Sequence, residues 1–319
     1  MLWQNTVGWK TRRIGFYQGM KALAETLAAA GGREKSWMAV GAELFKVRLT
    51  ALVLLTTFVG FYLGTAGTLD FLALFHALSG TALVAGGAAA LNQWLERDYD
   101  ARMRRTAERP LPSGRLQPAT AALLGGACLV AGLVWLAAWV NPLTSVLGAV
   151  TAGSYLFLYT PLKRVVWWNT LVGAIPGALP PLMGWTAARN DLSGAGGALF
   201  AMLAFWQIPH FMAIAWLYRE DYARGGFVML PNVDASGRRT AQQAVGNTLA
   251  LLLASLVPYV TGLSGKLYLA AALALGAGYF WSAMRFARGL TERRARLLFL
   301  ASIIYLPLLL AALALDKTK

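Results

Sequence analysis

Eight long runs without a charged residue leave this chain few ways to fold. They cover residues 49–69, 71–95, 116–162, 165–188, 192–218, 240–265, 267–284 and 297–315. A helix needs roughly 17–25 apolar residues to cross a bilayer, and all but one of the runs come close to a single crossing. Because lipid cannot hydrogen-bond to the backbone, each crossing must be a helix unless the chain closes into a barrel.

The run 116–162 is too long for one helix. Asn141-Pro142 divides it, because proline stops a helix and disfavours the helical conformation in the residue before it. With only 13% charged residues and a mean hydropathy of +0.52, the sequence predicts an all-α polytopic membrane protein with nine transmembrane helices in one bundle.

Lysine and arginine set the expected orientation. With the N-terminus in the cytoplasm, 25 of the 29 lysines and arginines lie on the inner side. The outer side holds only Arg189, Lys266, Lys317 and Lys319. This bias accounts for much of the net charge of +15 and requires no nucleic-acid partner. We expect residues 1–35 to form a cytoplasmic or interfacial segment, with a basic presequence as the alternative, and residues 36–319 to form the membrane domain.

Polar residues at the end of the second run point to chemistry. Asn92, Glu96 and Asp100 recur every four residues, so on a helix they share one face. Asp98 lies on a different face. Ionisable groups are normally excluded from membrane spans, and Mg²⁺ prefers oxygen ligands, one or two of them carboxylates, together with substrate phosphates. The spacing fits a magnesium site, although pairing within the helix, such as Asp100 with Arg104, is an alternative.

Further charged residues flank other predicted inner ends. Asp221 follows the sixth span within Tyr-Arg-Glu-Asp-Tyr, and Tyr159 and Lys163 close the fourth span. Lys163 offers a phosphate a positive charge, and Tyr159 offers a hydrogen bond. Arginines crowd the second span's inner end: Arg97, Arg102, Arg104, Arg105, Arg109 and Arg115. Carboxylates and arginines beside an apolar helix suggest a metal-bound diphosphate headgroup on a lipid-like tail.

One histidine lies within the sixth span. His210 occurs in Trp-Gln-Ile-Pro-His-Phe. A histidine there is either hydrogen-bonded between helices or functional, and function is the default for an ionisable group inside a membrane. It is a candidate for contact with a porphyrin, as an axial ligand or in proton transfer. His76 is a weaker candidate nearer the outer face. The single cysteine, Cys128, excludes an intrachain disulfide and a cysteine-based metal site.

These stretches together resemble the intramembrane aromatic prenyltransferase superfamily, over roughly residues 40–315. The superfamily signature Asn-x3-Asp-x3-Asp is similar to Asn92-x3-Glu96-x3-Asp100, with glutamate in place of the first aspartate. The run Asp-x2-Met-x-Arg-Thr-x2-Arg-Pro-Leu at 100–111 resembles the heme-modifying branch. The second superfamily motif, Asp-x3-Asp, keeps only Asp221, because Gly225 stands four residues later.

The resemblance implies transfer of the farnesyl group of farnesyl diphosphate to the vinyl group of heme B, giving heme O. It implies one or two Mg²⁺ ions on Asn92, Glu96, Asp100 and Asp221, and a catalytic role for this set. Asp98 is a candidate proton acceptor or structural partner. The implied diphosphate ligands are Arg102, Arg105, Arg109, Tyr159 and Lys163, and the implied heme ligand is His210. The implied location is a bacterial inner membrane with the site on the cytoplasmic side, and the implied partners are heme A synthase or terminal oxidase assembly.

Two alternatives remain open at this point. The same chemistry with a quinone precursor or a chlorin as acceptor would use the same metal site. A membrane transporter of an anionic substrate would also place carboxylates within a helix bundle. Clustering of the charges at one membrane face favours the enzyme.

Overall fold

Nine helices long and apolar enough to cross a membrane lie within residues 36–318, which the computed structural model describes. We number them α1 to α9: Val47–Gly64, Phe71–Asp100, Pro118–Trp139, Pro142–Leu162, Asn169–Arg189, Gly194–Leu217, Arg238–Val260, Lys266–Ala287 and Glu292–Leu315. The all-α bundle of nine spans is therefore confirmed. The predictions made for residues 1–35 lie outside the described residues.

The chain divides after Gly41 into two units. Of the first unit the structure describes residues 36–41, which include the beginning of a short helix, Trp37–Leu44. The second unit begins at Ala42 and contains all nine numbered helices. It also contains two short helices after α6, Arg219–Arg224 and Leu230–Val233.

Local sequence explains where helices begin. The Asp70 carboxylate accepts hydrogen bonds from the N–H groups of Leu72 and Ala73, at 2.9 and 3.0 Å, and so caps α2. The Asn141 side chain accepts one from the Thr144 N–H at 2.8 Å, with Pro142 as the first residue of α4. The predicted break at Asn141-Pro142 is confirmed. Asparagine satisfies an otherwise unpaired N–H, and proline at the first helical position has none to satisfy.

The second helix extends further than the uncharged run that predicts it. The run ends at residue 95, whereas α2 continues to Asp100 over 30 residues. At 1.5 Å per residue it is roughly 45 Å long, and a bilayer's hydrocarbon core is about 30 Å thick. Its last two turns can therefore carry charged groups beyond the hydrocarbon while remaining helical.

The fifth and sixth helices form the centre of the bundle. Among the nine spans, α5 and α6 bury the largest share of their residues. On one side α5 packs against α1 and α4, and on the other it packs against α6. Around α6 lie α7 and α9, while α2 and α3 pair with each other and α8 packs on α7 and α9. Hydrophobic side chains on the outer faces remain exposed, as expected for contact with lipid.

The last described residues close the end of the bundle opposite the C-terminus of α2. Asp316 Oδ2 accepts a hydrogen bond from the backbone N–H of Tyr268 in the first turn of α8, at 2.8 Å. Lys317 Nζ donates to the carbonyl oxygens of Tyr62 and Thr65 at 2.7 and 2.6 Å. A lysine at residue 317 thus satisfies carbonyl groups at the C-terminal end of α1.

Candidate active site

The C-terminal end of α2 buries four polar side chains, and three of them recur every four residues; the fourth, Gln93, donates to the carbonyl oxygens of Glu43 and Leu44. Asn92, Glu96 and Asp100 are all buried, as their four-residue spacing predicts for one helix face. Asp98 lies on a different face: its side chain is 72% exposed and pairs with Arg97 at 3.7 Å. The structure thus brings two carboxylates and an amide together and leaves Asp98 outside this group.

A basic residue immediately after α4 contacts this face of α2. Lys163 Nζ donates a hydrogen bond to Glu96 Oε1 at 2.7 Å, with 13% and 7% of the two side chains exposed. Burial alone would lower the pKa of Lys163, but the negative charge of Glu96 outweighs burial and raises that pKa above its usual range. The ammonium group also lies 4.6 Å from the centre of the Tyr159 ring. The predicted pair Tyr159 and Lys163 therefore lies beside Glu96.

A π-helical turn, Ser154–Tyr159, carries the tyrosines of this region. Such turns are rare and are frequent at functional sites. The rings of Tyr155 and Tyr159 stack with their centres 6.0 Å apart. On α5, Gly173 leaves room for Tyr159, since a β-carbon at 173 would lie 2.6 Å from the Tyr159 Cε2 atom. The glycine therefore allows the Tyr159 ring to occupy its place beneath Lys163.

The loop after α2 brings Arg109 into contact with the second buried carboxylate, that of Asp100. Arg109 Nη1 donates to Asp100 Oδ2 at 2.6 Å, and only 1% of the Asp100 side chain is exposed. Thr106 Oγ1 donates to the carbonyl oxygen of Asp100 at 2.8 Å, which fixes the turn between them. A charge-assisted bond of this kind is stronger than one between neutral groups. Of the predicted arginines, Arg109 is the one that pairs with this carboxylate.

Lys46 belongs to the site although the sequence pattern did not single it out. Its Nζ donates to Asn92 Oδ1 at 3.0 Å, and Tyr155 OH lies 3.5 Å away. Its backbone is left-handed (φ +46°) at the start of α1, an uncommon conformation for a residue other than glycine. Burial, reinforced by the positive charge of Arg109, lowers the pKa of Lys46 to about 7. In the sequence, Lys46 is only a basic residue before an apolar run.

Asp221 holds the loop that follows α2. Its Oδ1 accepts a hydrogen bond from the backbone N–H of Arg104 at 3.0 Å, and its Oδ2 accepts one from Arg105 at 3.2 Å. The guanidinium of Arg224 also donates to Oδ1. Burial alone would raise the pKa of Asp221, but these bonds outweigh burial and lower it. Here the Asp221 oxygens bind the loop, and its role as a metal ligand stays a prediction.

The other predicted arginines lie on the exposed rim of the site. The Arg102 guanidinium carbon is 5.7 Å from the centre of the Tyr99 ring. That of Arg105 lies 5.4 Å from the Tyr218 ring and 5.5 Å from the Tyr222 ring. Arg105 also donates to Tyr222 OH at 3.3 Å. Cation–π contacts of this kind hold the two guanidinium groups in place while leaving their N–H donors open to solvent.

His210 lies apart from the carboxylates, between α6 and α9. Its Nδ1 is 2.7 Å from Ser302 Oγ. Its ring stacks on Trp206, with centres 5.0 Å apart, and lies 5.1 Å from the ring of Phe299. The structure therefore places the predicted heme ligand on α6 in contact with α9, whereas Asn92, Glu96 and Asp100 lie on α2.

The carboxylates of Glu96 and Asp100 are the main candidates to bind a metal ion at this site. Across the described residues 36–318, no three His, Cys, Asp or Glu side chains are grouped so as to hold a metal ion. The buried oxygens of Asn92, Glu96 and Asp100 are nevertheless of the kind that Mg²⁺ prefers. The adjacent Lys163 and Arg109 supply the positive charge that a diphosphate requires, and Lys46 adds a hydrogen-bond donor. The donor set therefore fits a divalent metal together with a diphosphate.

Sequence comparison places this site in a known family. The model of the UbiA prenyltransferase family matches residues 53–308. The chain is 49% identical over 284 residues to a protein of Solibacter usitatus named protoheme IX farnesyltransferase, covering 86% of this chain and 97% of that protein.

Structural comparison gives the same fold. A solved digeranylgeranylglyceryl phosphate synthase superimposes with a TM-score of 0.75 at 16% identity, covering 88% of this chain and 98% of the other. A UbiA homolog from Archaeoglobus fulgidus bound to GPP and Mg²⁺ superimposes with a TM-score of 0.64 at 15% identity, covering 86% and 99%. By sequence and by fold, the chain belongs to the UbiA prenyltransferase family.

Proposed function

We propose that this protein transfers the farnesyl group of farnesyl diphosphate to the vinyl group of heme B, producing heme O and diphosphate. The observation that carries the proposal is the buried cluster of acids and bases at the end of α2, in a chain 49% identical to a protein named for this reaction. Family membership favours this reading over a transporter.

The ion pairs of the site are arranged for exchange with an anionic substrate. Lys163 and Arg109 each neutralise one buried carboxylate, and Lys46 adds a third base beside Asn92. The buried cluster thus contains three basic side chains and two carboxylates. When a diphosphate enters, these bases move to its oxygens, and Arg102, Arg105 and Tyr159 add donors at the rim. Glu96 and Asp100 then have oxygens available for a cation.

In our proposal, three of these side chains would hold a magnesium ion: Asn92, Glu96 and Asp100. Asp221 is the candidate for a second ion. The Archaeoglobus fulgidus homolog bound to GPP and Mg²⁺ supports a metal in this fold. When bound, the ion neutralises negative charge on the departing diphosphate. The protein residues keep the diphosphate at the end of the bundle with its tail among apolar helices.

The reaction itself needs little acid–base chemistry from the protein. The C–O bond of farnesyl diphosphate breaks, and the diphosphate leaves with the electron pair. The π electrons of the heme vinyl group form the new C–C bond to the allylic cation. Water adds to the resulting cation and loses a proton, which gives a hydroxyethylfarnesyl side chain. The stacked rings of Tyr155 and Tyr159 present aromatic faces that stabilise positive charge, and a dry site prevents early hydrolysis.

The acceptor is assigned from the relatives and from His210. An intramembrane histidine held among aromatic rings suits a porphyrin. A quinone precursor or a chlorin is the second candidate, since it would use the same diphosphate site. We place the site on the cytoplasmic side of a bacterial inner membrane, because the basic residues cluster at this end of the bundle. Heme A synthase or terminal oxidase assembly would then receive the product.

The test uses membranes containing the full chain, supplied with heme B, farnesyl diphosphate and Mg²⁺, followed by mass analysis of the hemes. We expect a hydroxyethylfarnesyl heme that disappears when EDTA replaces Mg²⁺. If the folded protein leaves heme B unaltered but releases diphosphate with a quinone precursor, then that precursor is the acceptor. Equal product with EDTA would remove the metal from the proposal.

A further inference from the structure

The imidazole of His210 is fixed on three sides. Trp206 stacks against the ring at 5.0 Å with a 23° interplanar angle, and Phe299 lies 5.1 Å away at 30°. Ser302 Oγ contacts Nδ1 at 2.7 Å. Ring rotation is therefore blocked by packing, and one of the two ring nitrogens is already bonded.

The bonding of Ser302 determines where the imidazole proton lies. A serine hydroxyl has one proton to donate. Ser302 Oγ lies 2.5 Å from the carbonyl oxygen of Phe299, and two oxygens at that distance need a proton between them. The hydroxyl proton therefore belongs to the Phe299 bond, and Ser302 accepts from His210. Nδ1 then carries the imidazole proton, and Nε2 keeps its lone pair.

The lone pair on Nε2 remains available. Nε2 has no hydrogen-bond partner within residues 36–318, and it is not among the buried polar atoms that lack one, so part of its surface is open. His210 lies seven residues before Leu217, the end of α6, which places it roughly 10 Å along the helix from that end. The short helix carrying Asp221 follows directly. The open lone pair thus belongs to a residue in the half of α6 nearer to the segment that carries Asp221.

We propose that Ser302 is a positioning residue that holds His210 in the Nδ1-protonated tautomer, so that Nε2 binds the iron of the heme substrate. This inference rests on the proposed function, because it takes heme as the ligand. Metal-binding histidines donate their other N–H to an oxygen, and that bond sets both the ring orientation and the ligand strength. Ser302 supplies such an oxygen from α9.

The second histidine of the chain provides a matched control. His76 is also packed among aromatic rings, 5.4 Å from Trp139 and 5.6 Å from Trp135. Its Nδ1 is buried and has no hydrogen-bond partner in the described part of the chain. No oxygen therefore fixes its tautomer, and it lies in the second turn of α2, at the other end of that helix from Glu96 and Asp100.

The experiment titrates heme B into the purified full-length protein without farnesyl diphosphate and follows absorption and resonance Raman spectra. We expect the wild type to show an iron–histidine signature that His210→Phe removes and His76→Phe keeps. Ser302→Ala should weaken heme binding about 10–100-fold and shift the iron–histidine vibration. Ser302→Thr, which keeps the hydroxyl, should restore both.

Two results would overturn the inference. One is a Ser302→Ala spectrum and affinity equal to the wild type, and the other is an unchanged histidine signature in His210→Phe. Farnesyl transfer is measured separately in the same preparations. If the wild type makes farnesylated heme and Ser302→Ala binds heme normally, the role of Ser302 is refuted and the proposed function is not. A wild type that makes no farnesylated heme refutes the proposed function.

Discussion

Glu96 and Lys163 form a hydrogen-bonded ion pair of 2.7 Å that joins α2 to the residue following α4, with both side chains nearly buried. Removing one partner of a buried pair leaves an uncompensated charge and is strongly destabilising. The pair therefore stabilises the folded protein, whereas the proposed reaction needs each partner for a different ligand. These two roles can be separated by substitution.

Lys163→Met should lower the free energy of unfolding by about 3–5 kcal/mol, because Glu96 stays buried without its partner. The double variant Glu96→Gln/Lys163→Met should recover most of that loss, since neither charge remains. Thermal unfolding in detergent and the heme product assay measure the two effects. We expect no farnesylated heme from either variant. A double variant as unstable as Lys163→Met would show that the pair is not the source of the loss.

Asp100→Asn should abolish product formation while leaving the protein folded. The amide nearly matches the carboxylate in shape and keeps one acceptor for Arg109, but it lacks the charge that would hold a cation. Asp98→Asn is the matched control, since Asp98 lies two residues earlier and is 72% exposed. We expect that control to turn over at nearly the wild-type rate. Near-normal turnover by Asp100→Asn would remove Asp100 from the metal site.

Much of the fold follows from the sequence because its determinants are local. Run length and hydropathy predict the nine spans, Asn141-Pro142 predicts the break before α4, and the spacing of Asn92, Glu96 and Asp100 predicts a shared buried face. These features depend on residues close together in the chain.

The pairings within the site do not follow from the sequence. The contact between Lys46 and Asn92 joins residues 46 positions apart, and that between Asp221 and the Arg104 N–H joins residues 117 apart. Such contacts depend on how α1, α2 and the segment after α6 pack. The left-handed backbone of Lys46 likewise has no sequence signal, because glycine and asparagine are the residues normally found there.

Lys46 should react as a neutral amine near physiological pH. Burial penalises its charged form and lowers its pKa to about 7, so the reactive neutral amine accumulates as pH rises through that value. Reductive methylation followed by mass spectrometry should show half-maximal labelling near pH 7. The exposed Lys266 serves as the internal comparison. Labelling that rises only toward about pH 10, the value of a free lysine, would contradict the burial argument.

Asp221→Ala should loosen the loop after α2. The substitution removes the acceptor for the N–H groups of Arg104 and Arg105, so trypsin should cut after these arginines several times faster than in the wild type. Asp234→Ala is the control: Asp234 accepts from the N–H of Thr240, in the first turn of α7, at 2.8 Å. That variant should leave cleavage at Arg104 unchanged. Equal cleavage in Asp221→Ala and the wild type would show that other contacts hold the loop.

Gly184→Ala should separate α1 from α5. A β-carbon at 184 would lie 1.9 Å from the carbonyl oxygen of Thr57, so the backbones must move apart. Small residues allow such close approach between membrane helices. We expect a marked fall in Tm for this variant. Gly126→Ala on α3 meets nothing within 4 Å and should keep or slightly raise Tm, because alanine favours helix by about 1 kcal/mol. Equal Tm values would rule out the close contact.

Lys317 donates to the carbonyl oxygens of Tyr62 and Thr65 at the end of α1. The first of the nine spans is therefore completed by a residue that follows the last of them. Until residue 317 emerges, those two carbonyl groups depend on water or lipid headgroups, and α1 can enter the bilayer before its final contacts exist. A bundle synthesised only as far as α9 would thus contain all nine spans and still lack this contact between the segment after α9 and the end of α1.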